Sequence, residues 1–347
     1  LVMLNARDAQ APGPEIMTRT KVINAERTKD HWVIQLENTA TGEKFERRAK
    51  MLVNAGGPWV ADILNQKLRQ NSRETVRLVR GSHIVVPKLY DHDRCYFFQG
   101  TDGRIIFAIP YEEDYTLIGT TDADHTDVET PPECTTDEQD YLVKFASEYF
   151  DTPVTRDQIV WTYSGVRPLY DDGASSATAA TREYVLTLDQ AAAPLLNVFG
   201  GKITTYRKLA EAALDKISSA LPNVTSNWTA GVPLPGGDFA VEDVKQLQAK
   251  IANDYPFLSP YATRRLIRAY GTEAWEVLGD ATFATDLGQD FGATITAREL
   301  DWAIEREWVR TGEDYLWRRT KLGLRLSEDE RAAVDGYITQ QVAKLAA

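Results

Sequence analysis

The chain has 347 residues, a length that suggests two or three domains rather than one core. A hydrophobic fraction of 43% and a charged fraction of 26% are those of a globular protein in water, and no apolar run approaches the ~20 residues of a membrane-spanning helix. A formal net charge of −12 argues against general nucleic-acid binding but permits a local cationic pocket for an anion.

Leu1–Asp8 lacks the basic and apolar regions of a signal peptide and reads as part of a helix. Residues 15–23 are β-rich, and His31–Leu36 alternates like a half-buried strand. Asn38–Gly42 is a turn from which Lys44–Arg48 returns. Ala49–Asn54 then climbs into Ala55-Gly56-Gly57-Pro58-Trp59, with a helix expected from Pro58 to Lys67. The pattern is a meander feeding a parallel strand. Further strands are expected at Ser82–Val86, Cys95–Gln99, Arg104–Ile109, Tyr115–Gly119 and Glu183–Leu188. One helix interrupts them, opened by the capping box Thr135/Glu138.

Leu195–Tyr206 reads as strand, glycine turn and helix start, the helix running to Ser219. After the linker Val232–Gly237 the remainder is helical: Val241–Asn253, Pro260–Ala269, Ala297–Arg310 and Glu328–Ala346. Ser259-Pro260 and the boxes Thr296/Glu299 and Ser327/Glu330 mark helix starts. Two cysteines, Cys95 and Cys134, make no disulfide framework, and the four histidines show no metal-ligand spacing.

Several stretches could carry chemistry. Gly200-Gly201-Lys202-Ile203-Thr204-Thr205 allows close approach of a ligand to the backbone and aims a helix N-terminus at it, although such turns are also common structural devices. Asn54–Trp59 is a second strand-to-turn, equally readable as a tight turn with Pro at the first helical position. Arg167, between Gly165-Val166 and Pro168, lies in a run with little surface character, and a buried Arg needs an anion, from the protein or from a substrate. Arg182 and Lys202 are further cations; together with Arg167 they could clamp a phosphate, and separately each reads as a surface ion-pair residue. His83, at a strand start beside Gly81-Ser82, is either a structural histidine or a proton acceptor for a hydroxyl. Asp122, in Gly119-Thr120-Thr121-Asp122, could orient a histidine, but capping its loop is the favoured reading.

Taken together, Val76–Pro87, Ile118–Asp122, Ile159–Leu169, Val198–Lys208, Glu307–Arg310 and Leu316–Lys321 resemble the aerobic, FAD-dependent glycerol-3-phosphate dehydrogenases, in order and spacing and over essentially the whole chain. The resemblance implies an α/β + α architecture: an incomplete, glutathione-reductase-like FAD-binding domain, a mixed β-sheet substrate domain and an all-helical C-terminal domain. The expected segments are 1–70 and 191–224 for the FAD-binding part, 71–190 for the substrate domain and 225–347 for the helical domain.

It also implies FAD as cofactor and oxidation of sn-glycerol 3-phosphate to dihydroxyacetone phosphate, with hydride passing from C2 to flavin N5 and electrons on to a membrane quinone. The protein would be cytoplasmic and peripheral on the inner face of the cell membrane, and a homodimer is left open. The implied catalytic residues are His83 and Arg167. The implied substrate contacts are Arg167, Arg182 and Lys202. The implied cofactor contacts are Ala55 and Gly56 at the nucleotide half, and Gly201, Lys202, Ile203, Thr204 and Thr205 at the ring and ribityl.

Two departures stand out. Gly56 occupies a position where the family often has Thr. The strand, G-x-G-x-x-G turn and helix with which family members hold the FAD diphosphate, and the Arg-Tyr pair supplied with them, have no counterpart in these 347 residues, so the expectation is a fragment that by itself binds FAD weakly and has little or no activity. Two other readings stay open. One is a glycerol-3-phosphate oxidase or related flavoenzyme that reduces oxygen. The other is a non-catalytic helical module that docks a partner or a membrane through Trp302, Trp308 and Trp317 with Arg306, Arg310, Arg318 and Arg319, although Trp at helical spacing is more often core.

Overall fold

Residues 1–171, 183–221 and 227–345 are described by the computed structural model, and two units divide the chain: Arg19–Thr229, and Leu1–Thr18 with Ala230–Ala347.

The first unit opens with an antiparallel meander of β1 (Thr20–Arg27), β2 (Trp32–Asn38) and β3 (Lys44–Ala49). The alternation expected in β2 buries Trp32, Ile34 and Leu36 on one face, and the Trp32 indole N–H donates to the Pro194 carbonyl at 3.0 Å. β1 starts at Thr20 rather than at residue 15, because pairing with β2 begins at Thr20 opposite Asn38. β4 (Leu52–Asn54) follows, then a 3-10 turn at Gly57–Trp59 and helical turns Val60–Asp62 and Ile63–Lys67.

The second sheet contains β5 (Val76–Pro87), β6 (Tyr96–Gln99), β7 (Ile105–Tyr111), β8 (Tyr115–Gly119), β9 (Ala123–Asp124) and β10 (Trp161–Tyr170), in the order β10-β5-β8-β7-β6 with β9 beside β5. Its back face packs Ile84, Val86, Ile106, Ala108 and Ile118 against Leu142, Phe145 and Ala146 of the helix Thr136–Ser147. That helix carries the expected cap: Thr135 Oγ1 accepts from the Glu138 N–H, and Glu138 accepts from the Thr135 N–H. Strand β10 was not expected from its sequence. Gly165, Arg167 and Pro168 break the apolar alternation, yet β10 is an edge strand, where Pro costs no ladder bond. A third sheet sets β12 (Leu195–Phe199) between β11 (Val185–Asp189), antiparallel, and β4, parallel.

The second unit is helical. Its helix Val2–Gln10 is anchored by Arg7, which forks onto Glu273 at 2.6 and 2.7 Å and lies over the Trp302 ring at 4.9 Å. The expected segment 1–70 is therefore split at Thr18, through a pairing of residues far apart in sequence that no local pattern reveals. The helices Val244–Asp254, Pro260–Tyr270, Ala274–Leu278, Ala297–Arg306 and Glu328–Leu345 surround two apolar clusters. Ser259 and the Ser327/Glu330 box cap as expected. The Thr296/Glu299 box does not form, because the buried Glu299 carboxylate instead takes both guanidinium N–H groups of Arg265, at 2.7 Å each, and the Tyr270 hydroxyl at 2.8 Å. Trp302 is buried against Tyr270, which removes it from any lipid-facing set. Among the described residues no helix is long and apolar enough to cross a membrane.

Candidate active site

The front face of the second sheet, opposite the helix Thr136–Ser147, gathers the chemistry. The ladder pairs Tyr163 with His83 and His83 with Gly119, so these three stand in one row across β10, β5 and β8. The Tyr163 and His83 rings stack with centroids 4.8 Å apart and planes 7° from parallel. On the other side Gly119 leaves the space the imidazole needs: a Cβ there would lie 2.2 Å from His83 Cδ2.

One turn of the ladder away, Gly165 pairs with Gly81 and Arg167 with Val79. The Arg167 guanidinium lies back over Gly81, where a Cβ would come within 2.3 Å of its Nη2. There it donates to Asp122 Oδ1 at 2.5 Å and to Thr120 Oγ1 at 3.1 Å. The anion that a half-buried Arg167 requires is thus Asp122, so the reading of Asp122 as a simple loop cap is corrected. Thr120 and Tyr163 are site components to which the sequence reading gave no role. For Asp122 the signal was the need of Arg167 for a counter-charge, together with its place in a segment that resembles the family.

Electrostatics set the state of His83. Burial, and then the nearby Arg167 charge, push its pKa from 6.5 down to about 4, so the ring is neutral near pH 7. Its buried Nδ1 has no hydrogen-bond partner among the described residues. A neutral imidazole beside a guanidinium can accept a proton from a bound hydroxyl at a ring nitrogen that the ligand reaches, while the cation steadies the oxygen left behind.

The glycine turns converge on the end of β10. β4 and β12 run parallel, with Asn54 opposite Asn197, so their carboxyl ends lie side by side. Both asparagines are buried, and Asn54 Nδ2 donates to Asn197 Oδ1 at 3.1 Å and to the Val60 carbonyl at 2.9 Å, fixing the turn that holds Ala55 and Gly56. From the other strand, Gly200 and Gly201 turn with φ of +68° and +101°, a region that favours glycine. A Cβ on Gly200 would sit 3.6 Å from the carbonyl oxygen of Pro168, the residue after Arg167. The turn therefore lies against the part of β10 that carries Arg167.

Lys202 is exposed on this turn, with Nζ 3.9 Å from Glu183 Oε1. Arg182 falls outside the described residues. His83 and Arg167 are thus brought together and Lys202 sits on the adjoining turn, while a phosphate clamp that includes Arg182 stays an expectation.

These residues fit a flavin. Ala55, Lys202, Ile203 and Thr204 are exposed at the carboxyl ends of two parallel strands, where open α/β sheets bind ligands. The helix Tyr206–Ile217, preceded by the 3-10 turn Ile203–Thr205, has no acidic residue in either first turn, so its positive end is uncompensated. Backbone from Gly201 to Thr205 would hold the ring system, and Ala55-Gly56 the nucleotide side.

Comparison with known proteins agrees. Residues 1–207 match the family described as FAD dependent oxidoreductase, and residues 227–345 the C-terminal domain of alpha-glycerophosphate oxidase. The chain is 40% identical to a glycerol-3-phosphate dehydrogenase of Pseudomonas aeruginosa, over 98% of this chain and 67% of the relative. It is 40% identical to the aerobic glycerol-3-phosphate dehydrogenase of Escherichia coli, over 100% of this chain and 70% of the relative. It is 41% identical to a D-erythritol 1-phosphate dehydrogenase of Brucella abortus, over 96% and 66%. The chain thus spans about two thirds of the length of these relatives. The fold is similar to that of a Bacillus halodurans glycerol-3-phosphate dehydrogenase solved with FAD, with a TM-score of 0.78 at 24% identity, covering 97% of this chain and 71% of that one.

Proposed function

The chain belongs to the FAD-dependent oxidoreductase family, and from that premise we propose that it oxidises the C2 hydroxyl of sn-glycerol 3-phosphate to give dihydroxyacetone phosphate. One observation carries the reading: His83 and an Asp122-held Arg167 share a sheet face, and the Gly200-Gly201 turn lies against the same end of β10. FAD, when bound, supplies the two-electron acceptor for the hydrogen on C2.

The protein's own contribution is proton handling and positioning. His83 takes the C2 hydroxyl proton, and being neutral near pH 7 it needs no prior deprotonation. Arg167 cannot act as a base, since its pKa lies above about 12. It donates to substrate oxygens, and its fork on Asp122 and Thr120 restricts the geometries it can adopt. Lys202, with Arg182, is proposed to receive the phosphate, and such fixing of the reacting bond can contribute several kcal/mol, on the order of 7 or more in favourable cases.

A second substrate reading is favoured by the 41% identity to the D-erythritol 1-phosphate dehydrogenase, which equals the identity to the glycerol-3-phosphate enzymes within 1%. Both substrates are polyol phosphates. Anaerobic reduction of the flavin-loaded protein with each of them, and with glycerol as the phosphate-free control, separates the readings. Fast bleaching by glycerol 3-phosphate alone supports the proposal. Preference for the erythritol phosphate transfers it to the second substrate, and equal rates with glycerol would refute a phosphate clamp.

The proposed electron acceptor is a membrane quinone, with the protein peripheral on the cytoplasmic face of the membrane. Turnover with a short-chain quinone against peroxide formation in air tests this, and dominant peroxide would point to an oxidase.

A further inference from the structure

Behind the row that carries His83, the same sheet holds a second polar cluster, centred on Glu138. This carboxylate is 8% exposed and accepts from both sides. On the helix side, Oε2 takes the Thr135 N–H and hydroxyl, each at 3.0 Å, and Arg80 Nη2 at 3.0 Å. On the sheet side, Oε1 takes the Thr121 hydroxyl at 2.7 Å and the Ser82 hydroxyl at 2.9 Å. A capping box accounts for the contacts to Thr135 but not for those of Oε1.

The network reaches further through the sheet. Thr121 Oγ1 accepts the Ser82 backbone N–H at 3.0 Å, and the Ser82 and Ser164 hydroxyls lie 2.7 Å apart. A hydroxyl has a single proton. Because Ser82 donates to Glu138, Ser164 must be the donor to Ser82. One carboxylate thus fixes the direction of every hydroxyl bond in the cluster.

Each back-face residue is a chain neighbour of a front-face residue. Ser82 precedes His83, Ser164 follows Tyr163, and Thr121 lies between Thr120 and Asp122, the two partners of Arg167. In β5 and β10 alternation makes this correspondence compulsory, since consecutive side chains point to opposite faces; in the Thr120–Asp122 segment, which lies outside the strands, it is seen in the bonds of Thr121 to Glu138 and of Thr120 and Asp122 to Arg167. We infer that Glu138 is a positioning residue of the active site, which acts through Ser82, Ser164 and Thr121 to hold His83 against Tyr163 and the Thr120–Asp122 loop against Arg167. Burial raises the pKa of this carboxyl, but the hydrogen bonds from Thr121, Thr135 and Ser82 outweigh burial and keep it below the usual range, in keeping with an anion at the centre of the cluster.

The test compares Glu138→Gln, Thr121→Val and Thr121→Ser. Its first readout is the His83 imidazole by NMR, where only three other histidines compete and the signal is assigned by its loss in His83→Gln. The charge that bears on this ring is Arg167, and the titratable ring packed on it is Tyr163. In the unaltered chain the His83 signal should not titrate above about pH 5.5. In Glu138→Gln and Thr121→Val a loosened, more solvated ring should titrate higher by about one unit or more. The second readout, whose meaning rests on the proposed role of His83, is kcat per bound flavin, expected to fall about tenfold or more while KM changes by less than about threefold. Thr121→Ser should restore both. Folded Glu138→Gln and Thr121→Val proteins with an unaltered His83 titration and unaltered kcat would overturn the inference. If Glu138→Gln fails to fold for want of its helix cap, Thr121→Val, which leaves the cap intact, decides alone. An error in the role of His83 would appear separately, as normal turnover in His83→Gln with the ring titration still responding to Glu138.

Discussion

His83 is held between a ring and a gap. The Tyr163 ring lies on one side, 4.8 Å away and nearly parallel, and on the other the missing Cβ of Gly119 leaves the space that the imidazole edge occupies. This arrangement explains how a histidine can be largely buried and uncharged while its Nδ1 has no hydrogen-bond partner among the described residues. It also makes the site sensitive to very small changes.

Glycine substitutions should show that sensitivity. Gly119→Ala drives a methyl to within 2.2 Å of His83 Cδ2, and Gly81→Ala drives one to within 2.3 Å of Arg167 Nη2. Each should lower kcat/KM about a hundredfold, the scale of a misplacement of about 1 Å. Gly336→Ala, on the helix Glu328–Leu345 and outside the site, is the control, since its Cβ would meet nothing within 4 Å, and steady-state kinetics of the three variants should separate accordingly.

The fork on Arg167 should be specific to its shape. Arg167→Lys keeps the charge but cannot bridge Asp122 and Thr120 together. A loss of about tenfold or more in kcat/KM is expected, and a comparable loss in Asp122→Asn. Near-normal kinetics in both variants would show that the pairing does not matter to the reaction.

Stability should depend on pH through His83. The pKa is lowered from 6.5 to about 4 on folding, so between those values the unfolded chain binds the additional proton. Stability therefore rises with pH across this window and is lost as pH falls through it, by up to about 3 kcal/mol. His83→Gln should flatten that part of the Tm-against-pH curve. An unchanged slope would place the titration elsewhere.

In the helical unit, Glu299 and Arg265 form a nearly fully buried pair with Tyr270. Glu299→Ala leaves an uncompensated guanidinium and should cost about 3–5 kcal/mol in urea unfolding. The double replacement Arg265→Met/Glu299→Leu should recover most of that loss, because it removes both charges and fills their volume.

Much of this was legible in the sequence. The alternation of Trp32, Ile34 and Leu36, the Thr135/Glu138 box and the glycine turn at Gly200 are local signals, and each appears in the structure where expected. His83 and Arg167 stood out by chemistry. What was not legible is long-range or front-face. Strand β10 carries Tyr163, Gly165 and Arg167 toward the site, and a strand face used for chemistry loses the apolar period that would reveal it. Glu299 matched a capping box in sequence but met Arg265 in space, and the attachment of Leu1–Thr18 to the helical unit depends on Arg7 meeting Glu273.

The most direct test is single-turnover reduction of the flavin-loaded protein by sn-glycerol 3-phosphate under anaerobic conditions, comparing the unaltered protein with His83→Gln. The proposed role predicts rapid bleaching in the former and a rate lower by at least about a hundredfold in the latter, the usual weight of a general base. No bleaching by glycerol 3-phosphate, or equal rates in the two proteins, would contradict it.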